Sequence, residues 1–119
     1  MMKKYIIIFT LFSLTLLLGS CGGDEPIFSG LYFSETPYGP SQTYFSGYNC
    51  YQMMTVATSK PITVTAKLYY QGVLIDTRTD SILSSDIYST PVSFTNAGTY
   101  SVDILYNGQI KLSGSFVSI

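Results

Sequence analysis

The chain has 119 residues with six basic and seven acidic side chains, no histidine, no tryptophan and eleven tyrosines. That length supports one small domain once a leader is set aside, and so few basic residues exclude the dense positive surface that nucleic acid requires. The absence of histidine removes the commonest general base and the commonest metal ligand.

At the start, Lys3 and Lys4 precede an uncharged run from Tyr5 to Leu18, rich in Ile, Leu and Phe, which stops at Gly19 and Ser20. A spanning helix needs about 20 apolar residues. This shorter run ending in small residues predicts a signal peptide over 1–20. Leu18-Gly19-Ser20-Cys21 resembles the lipobox of bacterial lipoproteins. The resemblance implies cleavage just before Cys21, a diacylglycerol on its sulfur, acylation of its new amino group, and the membrane as a partner through those acyl chains. Two or more chains anchor stably where one does not. An ordinary secretory signal with a chance cysteine is the alternative. Gly22-Gly23-Asp24-Glu25-Pro26 then has nothing to pack into a core, so residues 21–26 read as a lipidated flexible tether. Its acidic pair resembles the export signal on surface lipoproteins of the Bacteroidetes. That implies the outer membrane, with surface display favoured over a periplasm-facing position, although a plain spacer would carry similar residues.

Residues 27–119 read as a single domain. From Cys21 onward the chain has four basic and seven acidic side chains, a formal charge of −3, and Lys60, Lys67, Arg78 and Lys111 are scattered along it. Period-two alternation dominates. From Ile62 to Tyr70, apolar Ile62, Val64, Ala66 and Leu68 alternate with Thr63, Thr65 and Lys67, which predicts a half-buried strand. Tyr100 to Tyr106 repeats the pattern. Further strands are expected at Ile27 to Ser34, Thr43 to Phe45, Tyr51 to Thr58, Val73 to Thr79, Val92 to Thr95 and Gln109 to Val117. Short strands with frequent turn signals and no trustworthy helical stripe predict an all-β protein, an antiparallel β-sandwich.

Asn96-Ala97-Gly98-Thr99-Tyr100 resembles the corner before strand F of immunoglobulin-like domains, which makes Tyr100 the structural corner tyrosine by that resemblance. Val102 stands where an antibody domain has its second cysteine, so a disulfide-bridged immunoglobulin domain is not expected. The half from Ile62 to Ile119 also resembles small uncharacterised immunoglobulin-like proteins of the Bacteroidetes, through Gly98-Thr99-Tyr100, Asn107-Gly108 and Gly114-Ser115-Phe116. The resemblance implies a fold and no activity. At the final hairpin, face matching predicts a three-residue loop, Tyr106-Asn107-Gly108, that pairs Ile104 with Ile110, Val102 with Leu112 and Asp103 with Lys111.

For chemistry, no catalytic set, metal site or cofactor site is expected. Asp76-Thr77-Arg78-Thr79-Asp80 lacks the glycine and the further oxygens of a calcium loop and reads as a solvated strand face. No Gly-x-Ser-x-Gly elbow occurs. With Cys21 lipidated, Cys50 has no partner in the chain; it reads as a small core residue rather than a nucleophile, since no basic neighbour lies close in sequence to lower its pKa.

The feature that suggests a function is aromatic. Phe28 to Tyr51 holds eight aromatics punctuated by Pro37, Gly39, Pro40 and Gly47. Phe28, Phe33 and Phe45 are expected in the core, while Tyr38, Tyr44 and Tyr48 fall in the turn-rich part and are candidate ligand-binding residues, since tyrosine brings large rigid area plus a hydroxyl at low entropic cost. The resulting expectation is a lipid-anchored, non-enzymatic binding or accessory module of the cell envelope, recognising an envelope protein or glycan. Its alternative is a structural envelope lipoprotein without ligand recognition, with an enzyme such as a glycosidase as a distant third.

Overall fold

The computed structural model describes residues 25–119; the expected signal peptide, Cys21 and most of the tether lie outside the described residues. Eight strands follow in order, β1 (Ile27–Ser34), β2 (Tyr44–Phe45), β3 (Asn49–Ala57), β4 (Ile62–Tyr70), β5 (Val73–Ile82), β6 (Asp86–Ser93), β7 (Gly98–Tyr106) and β8 (Gln109–Ser118). They form two sheets, β1-β3-β6 and β2-β8-β7-β4-β5. The protein is an all-β sandwich. Equating β3, β4, β6, β7 and β8 with strands B, C, E, F and G reproduces the immunoglobulin-type division of strands, with β5 as the added C′ strand and no strand D. One pairing is not antiparallel: β2 runs parallel to β8, Tyr44 beside Val117 and Phe45 beside Ser118. The chain reaches it by leaving β1 at Ser34, returning so that the Gln42 N–H donates to the Phe33 carbonyl at 2.8 Å, and crossing to the other sheet.

Alternation explains the core. Ile62, Val64 and Ala66 on β4 face Val102 and Ile104 on β7 and Cys50, Met54 and Val56 on β3, all buried. Aromatic rings close the upper part: Tyr100 stacks on Phe116 with centroids 5.2 Å apart and planes 7° apart, and Phe45 meets Phe116 edge-on at 5.7 Å. Such pairs each add about 0.5–1.5 kcal/mol beyond their burial.

Where strict alternation fails, an extra residue repairs it. In β1 the register shifts between Ser29 and Tyr32, with Gly30 at φ 67°, which brings Leu31 and Phe33 to the core side after Phe28. At the final hairpin the expectation of a three-residue loop is wrong. Tyr106 pairs with Gln109 across Asn107 (φ 52°) and Gly108 (φ 78°), a two-residue loop. A bulge at Lys111 then sets Ile104 opposite Leu112 and Asp103 opposite Ser113. The tight turn keeps its favoured backbone twist and the bulge absorbs the face conflict that would otherwise turn Leu112 outward.

The chain directions define two ends. Ile27, Ala57, Asp86, Tyr106 and Gln109 lie at one, called the base, where the rings of Phe28 and Tyr106 approach to 6.0 Å. Ser34, Asn49, Tyr70, Gly98 and Ser118 lie at the other, the distal end.

Candidate functional site

The three tyrosines singled out from the sequence are all well exposed: Tyr38 at 65%, Tyr44 at 61% and Tyr48 at 67%. Phe33 and Phe45 are core residues, and Phe28 is half-buried against the core. Different elements carry the three tyrosines. Tyr44 points outward because its β2 neighbour Phe45 points in. Tyr48 sits in the crossing from β2 to β3, its carbonyl accepting the Phe94 N–H at 2.9 Å. Both therefore stand at the distal end, about eight residues and roughly 26 Å along β3 from the level of Ile27.

Tyr38 lies elsewhere. The segment 35–41 folds over the outer face of the three-stranded sheet, where the Tyr38 N–H meets the Met53 sulfur at 3.4 Å and its hydroxyl reaches the Ile87 carbonyl on β6 at 3.4 Å. That cover explains why Met53 is fully buried although its neighbours Gln52 and Met54 turn to the interior. Tyr38 itself takes φ 61°, a left-handed conformation uncommon for a side chain of this size. The segment also occupies an edge carbonyl of β6. Farther along the same edge the Pro91 carbonyl accepts from Arg78 at 3.4 Å, and Pro91 offers no N–H. The β6 edge is thus blunted against strand addition.

A second exposed cluster escaped the sequence reading. Val73, Leu74 and Ile75 are 65%, 47% and 51% exposed, directly after the Gln71-Gly72 turn at the distal end. The signal was available: three consecutive aliphatics cannot all face inward when the period is two. All three are exposed because β5 is the last strand of its sheet and, with no strand beyond β6, its inner face looks onto the β6 edge. The same geometry corrects the reading of Asp76, Arg78 and Asp80 as a solvated face. Opposite Leu68, Ala66 and Val64 respectively, they point toward the interior side. Arg78 Nε lies 3.5 Å from the Asp80 carboxylate, close enough for charge attraction but without hydrogen-bond alignment. Inward charges of this kind discourage edge pairing.

Between the sheets, Gln52, Ala66, Leu68, Arg78 and Val92 line a cavity of ≈ 30 Å³. Its size suits a water or two and nothing larger. Gln52 is buried, with its Nε2 unpaired in that hollow. Among the described residues no three His, Cys, Asp or Glu side chains gather as a metal site. Cys50 is fully buried, and burial pushes its thiol up to about 12 from an ordinary 9.0. Tyr100 is buried at the corner, its hydroxyl donating to the Asn96 carbonyl at 2.8 Å.

No protein-family model and no curated protein sequence matches the chain. Solved structures do. One is the Pseudomonas fluorescens alkylpurine DNA glycosylase AlkC bound to DNA containing an abasic site analog, 14% identical, with a TM-score of 0.59 over 87% of this chain and 33% of that one. Another is the Bifidobacterium adolescentis GH3 beta-glucosidase, 10% identical, with a TM-score of 0.43 over 81% of this chain and 17% of that one. The chain spans a third or less of each, and the first similarity is one of fold alone.

Proposed function

We propose that the protein is a lipid-anchored, non-enzymatic module of the bacterial outer membrane, displayed on the cell surface, that presents its distal end to an envelope protein or glycan. The observation that carries this reading is the position of Tyr44 and Tyr48, two-thirds exposed at the end opposite Ile27, from which the chain leaves toward Cys21. Loop tyrosines held in water far from an anchor are placed to meet something. The exposed Val73-Leu74-Ile75 run at the same end adds apolar area. The small cavity and the dispersed carboxylates favour a binding role over a glycosidase, which needs two carboxylates facing across a cleft. DNA recognition does not transfer from the glycosylase, because Lys60, Lys67, Arg78 and Lys111 lie on separate elements and give no basic stripe.

The dispersal of the three tyrosines over three elements favours a second reading, a structural envelope lipoprotein whose domain packs against another component without ligand recognition. Crosslinking of the lipidated protein in its own envelope separates the two. A Tyr44→Ser, Tyr48→Ser variant with an unchanged unfolding midpoint should lose the crosslinked partner under the first reading. Equal crosslinking would support the second.

A further inference from the structure

We propose that the base of the sandwich sits on the lipid bilayer itself, with Ile27, Leu83 and Ile110 entering the interfacial region so that the domain stands upright; this rests on the lipid-anchor reading of Cys21. Ile27 opens β1, Leu83 directly follows the last residue of β5, and Ile110 is the second residue of β8. They are 66%, 70% and 59% exposed. All three belong to one end. In the order β8-β7-β4-β5, three inter-strand steps of about 4.8 Å separate the strands of Ile110 and Leu83 by roughly 14 Å, and β1 lies across the sandwich at about 10 Å. The three side chains therefore mark the corners of a broad footprint.

Nothing inside the domain uses them. Next to each, the core is served by another residue: Phe28 packs beside Ile27, Ile82 is buried beside Leu83, and Leu112 packs inward two residues after Ile110. Elsewhere, solvent-facing strand positions carry hydroxyls, as at Thr63, Thr79 and Ser81. Aliphatics at the base depart from that rule.

The occupant follows from where the chain goes. Cys21 is six residues before Ile27, and six residues span at most about 20 Å even when fully extended. Acyl chains on Cys21 would hold this end, and no other, within that distance of the hydrocarbon. The acyl chains supply the attachment and the aliphatic corners supply the orientation, which keeps Tyr44 and Tyr48 pointing away. Lys60 and Lys111 stand at this end, but so do Glu25 and Asp86, so the seat is apolar and should resist salt.

The test uses the full-length protein, purified with its acyl chains and reconstituted in vesicles of phosphatidylethanolamine and phosphatidylglycerol containing brominated lipid. A fluorophore is placed at the base through Ser59→Cys or at the distal end through Gly47→Cys, where a side chain meets nothing. Quenching should be at least about fivefold stronger at position 59, and should survive about 0.5 M salt. Adding Ile27→Ser, Leu83→Ser and Ile110→Ser should bring it down to the level at position 47 while acylation and vesicle recovery stay constant. Equal quenching at the two positions, loss of quenching in salt, or unchanged quenching in the triple variant overturns the proposal and leaves the anchor intact. Protein whose Cys21 carries no acyl mass overturns the anchor reading and the seat together.

Discussion

The Tyr100 hydroxyl donates to the Asn96 carbonyl at 2.8 Å and accepts from the N–H of that same residue at 3.2 Å, so one side chain satisfies both backbone groups of a residue four positions upstream. Its ring meanwhile stacks on Phe116 and tilts against Phe94 and Tyr70. Tyr100→Phe keeps the ring contacts and removes only the hydroxyl. It should cost about 1–3 kcal/mol, because two partly buried backbone groups lose their partner. Urea unfolding checks this, and a loss below about 0.5 kcal/mol would mean that water replaces the hydroxyl without penalty.

Gly98 bears on the same corner. It adopts φ 140°, and a Cβ there would lie 2.8 Å from Tyr70 Cε1 and 3.0 Å from its hydroxyl. Tyr70 cannot swing away freely, since its hydroxyl donates to the Ala97 carbonyl at 2.7 Å and its ring packs on Tyr100. Gly98→Ala combines backbone strain with that contact, so a loss of about 3 kcal/mol is expected in equilibrium unfolding. A neutral result would show that the Tyr70 ring relocates.

The regular strands were legible because their alternation is clean: Ile27–Ser34 and Ile62–Tyr70 have the boundaries read from sequence. Residues with two competing demands were not. The sequence shows Phe28, Leu31 and Phe33 at an uneven spacing, and only the pairing with β3 reveals that a bulge at Gly30 reconciles them. The start of β6, Asp86 to Pro91, carries an acid and a proline and reads as a loop. It is a strand because β3 supplies partners for Asp86 through Ser93 and because Pro91 lies on an edge that needs no donor. The exposure of Tyr38, Tyr44 and Tyr48 followed from their Pro- and Gly-rich surroundings. That they sit apart follows from the crossing of the chain between sheets, which no local pattern encodes.

Cys50 should resist a thiol reagent in the native protein and react only on unfolding, since it is fully buried and its thiol is pushed up to about 12. The sign of its linkage to stability follows. The folded pKa lies above the unfolded one, so this contribution is whole below about pH 9 and is lost as pH rises toward 12. Wild-type stability should consequently fall more steeply over that window than that of Cys50→Ala, with tyrosine ionisation common to both. Rapid native labelling, or parallel pH profiles, would show the thiol to be accessible.

The Lys111 bulge makes a deletion experiment decisive. Leu105 pairs with Ile110 and Ile104 with Leu112, leaving Lys111 as the extra residue. Removing Lys111 makes the two pairs consecutive and preserves every cross-strand partner from Ile104 back to Gly98, so the cost should stay within about 1 kcal/mol. Removing Ser113 has a different consequence. Phe116 can then stay opposite Tyr100 only if the bulge is given up, which turns Lys111 inward opposite Ile104 and Leu112 outward opposite Asp103. Exposing a leucine that packs on the core and directing an ammonium toward it should together cost about 3 kcal/mol or more. The Ser113 hydroxyl bond to the Asp103 carboxylate at 2.7 Å is lost as well. Comparing the two single-residue deletions by urea unfolding therefore reads out the register directly. Equal destabilisation would mean that the strand is not bulged at Lys111 in solution.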